Sequence, residues 1–174
     1  MGCTPEFLPG YRPITDSNAL SSLASEWGVD SLQFSSDNPA NDLLRNCAEG
    51  TIKFLHIAGE DPVHSFYKGS EIKNALQTVP FLVVQDVYMT ETAKLADIIL
   101  PTTTYTEKEG SFTNMTRHVQ KVTPATSPQN QSRTDHDIFV QLAEVFGNKL
   151  KNSSVGEVQD EISKMVPIYK GTLP

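Results

Sequence analysis

Gly59-Glu60-Asp61-Pro62 sets a glycine beside two carboxylates directly after an apolar run. Glycine lets a backbone approach a ligand closely, and a carboxylate there can accept from a guanine edge or a ribose hydroxyl. Gly, Asp and Pro are also the commonest turn residues, so an ordinary strand-to-loop turn explains the same tetrad. Gln85-Asp86 closes a second apolar run, and Thr90-Glu91-Thr92 follows where a helix is predicted to open. A helix start offers free N–H groups and a partial positive charge, which suit phosphate. Capping by Thr90 accounts for those residues without a ligand. The third segment, Pro101–Met115, reads as a long polar loop rich in hydroxyls, with Glu107 and Glu109 among them. Loops of that length inside a compact domain are uncommon and often functional; the alternative is a loop that is merely solvated.

Other chemistries find no residues to carry them. The two cysteines, Cys3 and Cys47, are far apart and form no C-x-x-C pair, so they build neither a metal nor an iron–sulfur site. Unpaired thiols of this kind fit a reducing cytoplasm. His56, His64, His118 and His136 make no H-x-x-x-H or H-E-x-x-H pattern. No nucleophile elbow, P-loop or G-x-G-x-x-G occurs. No catalytic residue and no metal ligand is therefore assigned. A net charge of −7 and a pI near 5.0 repel phosphate backbones, which argues against nucleic acid as a partner. The longest apolar run, around Phe81–Val84, is far short of the roughly 20 residues of a membrane span. The start, Met1-Gly2-Cys3-Thr4-Pro5, lacks a basic region and an apolar stretch. A cytoplasmic protein without direct membrane insertion is expected.

The elements that would position these segments follow from periodicity. Residues 1–38 look irregular, broken by Pro5, Pro9, Gly10 and Pro13, apart from one helix over Ser17–Trp27. Asp16 or Ser17 caps that helix, and Gly28 ends it. A helix opens at Asn38-Pro39 and stops at Gly50, with Leu43, Leu44 and Cys47 on its apolar side. Strands are predicted at Ile52–Ala58, Phe81–Val84 and Ile98–Leu100. Helices are predicted at Gly69–Gln77, with Ile72, Ala75 and Leu76 inward, and at Thr90–Leu95. His118–Val122 reads as another strand. Asp135–Phe146 is an amphipathic helix with Ile138, Phe139, Leu142, Ala143 and Phe146 on one stripe, and Glu157–Met165 is a last helix. Apolar strands alternating with helices argue for a parallel sheet covered on both faces. Ligands in such sheets sit beyond the carboxyl ends of the strands, where the segments above begin.

A resemblance extends this reading. Leu8-Pro9-Gly10-Tyr11-Arg12-Pro13, Ile57-Ala58-Gly59-Glu60-Asp61-Pro62, Phe81-Leu82-Val83-Val84-Gln85-Asp86, Thr90-Glu91-Thr92-Ala93, Ala96-Asp97-Ile98-Ile99-Leu100-Pro101 and Glu107-Lys108-Glu109-Gly110-Ser111-Phe112-Thr113-Asn114 resemble, in order, one stretch of the molybdopterin oxidoreductase family. Its closest branches are the formate dehydrogenase alpha subunit and the large G chain of NADH:quinone oxidoreductase, complex I. The resemblance implies an α/β fold, a Rossmann-like αβα domain with a mainly parallel sheet, over residues 39–150. An irregular segment (1–38) precedes it and a helical extension (151–174) follows. It implies that Gly59, Glu60, Asp61, Gln85, Asp86, Thr90 and Thr92 line a molybdopterin guanine dinucleotide, with Glu109, Gly110 and Asn114 near the pterin.

The family's iron–sulfur cysteine clusters and its metal-ligating cysteine or selenocysteine are not in this sequence. The chain is thus expected to be part of a longer oxidoreductase subunit and not catalytic by itself. Iron–sulfur clusters and the pterin group would belong to the parent protein. Its partners would be other domains of that subunit and other subunits of a respiratory or formate-oxidising complex. Enzyme members usually show Asn-Thr-Glu, then Arg-Arg or Gly-Arg, then Val-Gln; here Asn114-Met115-Thr116-Arg117-His118-Val119-Gln120 stands instead. That departure favours the complex I chain over formate dehydrogenase, with a stand-alone nucleotide-binding domain as a third reading.

Overall fold

The computed structural model describes residues 7–32, 39–148, 150 and 154–172. Cys3, Pro5 and Asn38 lie outside them. The chain divides into two compact units. The sheet unit takes Asn38–Lys108 and Ala125–Asp135; the hairpin unit takes Met1–Asp37, Glu109–Pro124 and His136–Pro174. This division does not follow the linear one into 1–38, 39–150 and 151–174, because the chain leaves the sheet unit and returns to it.

The sheet unit is built on three parallel strands, β3 (Leu55–Ala58), β4 (Leu82–Asp86) and β5 (Ile98–Pro101), in the order β3–β4–β5. Its register sets Ala58 opposite Gln85 and Gln85 opposite Leu100. Side chains alternate across a strand, yet Leu82, Val83, Val84 and Gln85 are all buried, so β4 is covered on both faces. Leu82 and Val84 join Ile72 and Leu76 of α4 (Gly69–Gln77) and Ala93 in one core cluster. Cys47 of α2 (Pro39–Ala48) packs with Ala75 and Val79 in a second. Burial pushes the Cys47 thiol above its ordinary value, which leaves it a small apolar side chain.

Several expectations are corrected. β3 begins at Leu55, not Ile52, because Ile52 turns to the Cys47 cluster and only Leu55 onward finds partners on β4. Phe81 precedes β4 and stays 40% exposed, its ring 5.8 Å from that of Phe54. The helix expected over Thr90–Leu95 contracts to a 3-10 turn, Ala93–Leu95. The supposed loop Pro101–Met115 holds a 3-10 turn, Tyr105–Glu107, and a strand, β6 (Gly110–Thr113). A four-residue helix, α3 (Pro62–Ser65), follows β3 directly.

In the hairpin unit, β6 pairs antiparallel with β7 (Val119–Val122). β1 (Phe7–Leu8) and β2 (Arg12–Pro13) form a small second hairpin in the segment expected to be irregular. The helix α1 (Ser17–Trp27) keeps its predicted bounds. Asp16 caps it by accepting from Asn18 N–H at 3.1 Å and Ala19 N–H at 3.0 Å. Ser154 and Glu157 form a capping box on α6 (Val155–Met165), which starts two residues before the predicted one. The core joins Leu8, Ala19 and Leu23 with Met165 at the margin, and Arg12 Nη2 donates to Met165 O at 3.2 Å. In α5 (Asp135–Val145) only Ile138 of the predicted stripe is buried; Phe139 is 45% exposed, and Phe146, just past the helix, 75%.

One contact in the sheet unit admits no substitution. A Cβ added at Gly69 would lie 2.1 Å from the main-chain oxygen of Val63. Alanine gains about 1 kcal/mol of helix propensity over glycine, but backbone overlap of this size forces α3 and α4 apart. We expect Gly69→Ala to destabilise the chain by about 1–3 kcal/mol, read as a lower urea midpoint; an unchanged or higher midpoint refutes the close approach.

Candidate functional site

Parallel pairing brings three chain exits to one edge of the sheet unit. Gly59 leaves β3 with φ 66°, a conformation that favours glycine, and its N–H donates to Gln85 O at 2.8 Å. No atom lies within 4 Å of a Cβ built there, so backbone conformation alone explains this residue. Glu60 is exposed and accepts from Ser65 Oγ at 2.5 Å. Asp86 ends β4 and turns the chain by accepting from Tyr88 N–H at 3.0 Å. Thr102 follows β5, and its N–H donates to Asp86 O at 3.1 Å.

Two of the candidate residues are engaged with one another. Asp61 Oδ1 accepts from Thr92 N–H at 3.1 Å and from Thr92 Oγ1 at 2.5 Å, while Thr92 Oγ1 accepts from Val63 N–H at 3.2 Å. Thr92 is fully buried. This tie joins the exits of β3 and β4 and holds Thr92 outside a regular helix. Thr90 Oγ1 accepts from Ala93 N–H at 3.0 Å, the capping expected of it, but on a turn too short to form an anion-binding helix start. Beside it Glu91 pairs with Lys94, whose hydrogen bond and charge hold the Glu91 carboxyl below its ordinary range.

A second polar group gathers around Asp135, which periodicity presented only as a helix start. Asp135 Oδ1 accepts from Gln85 Nε2 at 2.8 Å and from Thr102 Oγ1 at 2.8 Å; Oδ2 accepts from Lys108 Nζ at 2.6 Å. A parallel bridge between Thr102 and Arg133 brings the returning segment to this edge. Burial alone would raise the Asp135 carboxyl. Hydrogen bonds from Lys108, Gln85 and Thr102, with the Lys108 charge, outweigh it and hold the group below its ordinary value. Gln85 and Thr103 are fully buried, and among the described residues Gln85 Oε1 and Thr103 Oγ1 have no hydrogen-bond partner. Thr102, Thr103 and Lys108 lie in the hydroxyl-rich segment the sequence singles out; only Asp135 carried no signal.

Glu109, Gly110 and Asn114 belong to the hairpin unit. Glu109 is exposed, and Gly110 pairs with Val122. Asn114 builds the hairpin turn: its Oδ1 accepts from Thr116 N–H at 3.0 Å, Thr116 Oγ1 at 2.8 Å and His118 N–H at 2.9 Å. In the sheet unit Glu107 is buried and accepts from Thr104 N–H at 2.9 Å and Gln129 N–H at 3.1 Å. Among the described residues no group of three or more His, Cys, Asp or Glu side chains is placed to hold a metal ion, and no helix is long and apolar enough to cross a membrane.

Comparison with known proteins follows the same lines. The molybdopterin oxidoreductase family model matches residues 9–145. The formate dehydrogenase 2 alpha subunit of Methanococcus maripaludis is 37% identical over 173 residues, 98% of this chain and 25% of its own. Formate dehydrogenase H of Escherichia coli is 32% identical over 171 residues, 98% of this chain and 24% of its own. The alpha subunit of the NADPH-Fe(3+) oxidoreductase of Geobacter sulfurreducens is 31% identical over 169 residues, 97% of this chain and 19% of its own. The chain therefore spans about a quarter or less of the length of these curated relatives. Acetylene hydratase from Pelobacter acetylenicus shares the fold, with a TM-score of 0.61 at 18% identity over 80% of this chain and 22% of that one.

Two outcomes test the edge itself. Thr92→Val removes the hydroxyl that receives Val63 N–H and leaves a part-buried donor unpaired, so a loss of about 1–3 kcal/mol is expected in denaturant unfolding. A loss within error refutes the tie. Asp135 has a folded-state pKa below its ordinary 3.8. Its ionised form contributes stability in full above that value, and the contribution is lost as pH falls through the folded-state pKa. Asp135→Asn should thus lower the urea midpoint at pH 7, and the two proteins should converge as pH falls below the ordinary carboxylate value. A gap that does not change with pH overturns the assignment.

Proposed function

The chain belongs to the molybdopterin oxidoreductase family, and from that premise we propose that it is the part of a formate dehydrogenase alpha subunit that holds the guanosine end of a molybdopterin guanine dinucleotide. The observation that carries this reading is the edge of the parallel sheet, where Gly59, whose N–H donates to Gln85 O, stands beside Gln85 and Asp86 at the place where such folds take their ligands. The residues present fit a nucleoside better than its phosphates. Asp86 is a half-buried carboxylate able to accept two N–H donors of a guanine edge, and Gln85 Oε1 is a buried acceptor without a partner among the described residues. Phosphate is poorly served, since Glu60, Asp61 and Asp86 repel it and Lys94 and Lys108 are paired with carboxylates.

When bound, the pterin group supplies the redox chemistry, and the protein supplies orientation and electrostatics. Gly59 would bring main chain close to the ligand, Asp86 would take the base, and Gln85 would accept one donor. Glu109, Gly110 and Asn114 remain proposed for the pterin side. Iron–sulfur centres and the metal-ligating residue belong, on this reading, to other parts of the subunit. Those parts are also its proposed partners. Tyr67 and Tyr88 of the sheet unit, at 90% and 74% exposure, leave apolar side chains for another domain to cover.

The formate dehydrogenase reading takes precedence over the complex I G chain because formate dehydrogenases stand among the relatives. The departure at Met115-Thr116-Arg117-His118 falls on an exposed turn that Asn114 holds through main-chain contacts. Sequence varies readily on an exposed turn, so the departure weighs little against that family branch.

Two measurements test the proposal. The 174-residue chain should show no formate- or NADH-dependent dye reduction; turnover without added subunits refutes it. GDP should shift amide resonances of Gly59–Asp61 and Gln85–Thr92 with a Kd of about a millimolar or weaker, roughly −4 kcal/mol, because the other gripping domains are absent while the association entropy remains. Shifts confined to other residues, or none, remove the nucleotide-holding role.

A further inference from the structure

We propose that Asp135 is the positioning residue of this edge: its carboxylate fixes which way the Gln85 amide faces, so that Gln85 offers an oxygen to a donor and never its NH2 to an acceptor. The inference rests on the nucleotide-holding reading of the edge and deepens it by naming what sets its selectivity.

A glutamine amide is nearly symmetrical in shape, and either orientation fills the same space. The neighbours decide between them. An ionised carboxylate accepts only, and Asp135 Oδ1 lies 2.8 Å from the Gln85 amide, so Gln85 must turn its NH2 toward Asp135. The Lys108 ammonium at 2.6 Å engages the other oxygen, Oδ2, and leaves Oδ1 to Gln85 and Thr102. Thr102 Oγ1 at 2.8 Å shares the same Oδ1 and fixes its position from the neighbouring strand. Oδ1 is thereby held from the ends of β4 and β5 at once.

The consequence lies at the other end of the amide. Gln85 is fully buried, and its Oε1 has no partner among the described residues. A buried acceptor left unpaired is unfavourable, and it is relieved by an N–H or O–H group. The edge thus selects ligands that bring a donor: the imide or amine of a nucleobase, or a ribose hydroxyl. A carbonyl or phosphate oxygen at the same point would meet oxygen with oxygen. Because Gln85 is covered, a ligand reaches it only by shifting neighbouring side chains, which keeps affinity low and selectivity high.

The test uses the isotopically labelled 174-residue chain and GDP as probe. In the wild type, one Gln85 side-chain N–H proton should resonate downfield of exposed glutamines and exchange slowly with solvent. Lys108→Met should leave that signature in place. Asp135→Asn should abolish it and weaken GDP binding about fivefold or more, the loss expected for one hydrogen bond; a mere structural tie would respond to both variants alike. A Gln85 amide that behaves like an exposed one in the wild type overturns the proposal without recourse to any variant. GDP binding that is equal in wild type and Asp135→Asn overturns the positioning role and leaves the nucleotide edge standing. Absence of any GDP response in a wild type with the Gln85 signature intact overturns the nucleotide edge, and the role assigned to Asp135 falls with it.

Discussion

Parallel strands can only be joined by a crossover that carries the chain back to the starting end, so successive exits must emerge on the same side. In the sheet unit this constraint fixes everything else. Ala58 lies opposite Gln85, and Gln85 opposite Leu100, so segments 27 and 15 positions apart open side by side. An antiparallel sheet with the same side chains would have scattered them to two ends. The glycine, the carboxylates and the hydroxyls gain a common address from backbone geometry before any side chain makes a specific contact.

Specific contacts then divide the edge into fixed and available groups. Asp61 and Thr92 satisfy one another and Val63; they act as internal masonry, although their residue types suit a ligand equally well. Asp86 keeps one oxygen on its own turn, and Gln85 keeps its nitrogen on Asp135. Acceptors remain, and donors are scarce. An acidic edge of this sort is poor ground for a diphosphate and better ground for a base and sugar, in keeping with a sequence that contains none of the usual phosphate motifs.

Local signals made the regular elements legible. Asp16 and Gly28 bracket α1, and the Ile72, Ala75 and Leu76 spacing marks α4, because capping and burial operate within a few residues. Apolar composition marked all three sheet strands and their parallel sense. Two of the failures share one physical origin, partners distant in sequence. Thr90–Leu95 has a helical pattern, but Asp61, 31 positions before Thr92, claims the Thr92 amide and hydroxyl. The polar run after Pro101 hides β6 for a different reason: its partner β7 is near in the chain, but Gly110-Ser111-Phe112-Thr113 lacks the apolar alternation that marks a strand. Asp135 stands 50, 33 and 27 positions from Gln85, Thr102 and Lys108, so no local pattern could announce it. The resemblance supplied the family, and with it a set of seven residues on one edge, but it said nothing of the carboxylate that holds that edge together.

The discontinuous make-up of the two units bears on how the chain matures as it is synthesised. Domains tend to fold in the order they emerge from the ribosome. The sheet unit can close once Asp135 has appeared, since both of its segments are then available. The hairpin unit cannot: Arg12 waits for the Met165 carbonyl, 153 positions later, and Leu8 and Leu23 share their cluster with Met165. During that interval α1 displays its apolar side to the surroundings without the surface that will cover it. Such a delay is a window for aggregation or for chaperone capture, and it makes α1 the place where the nascent chain is most vulnerable.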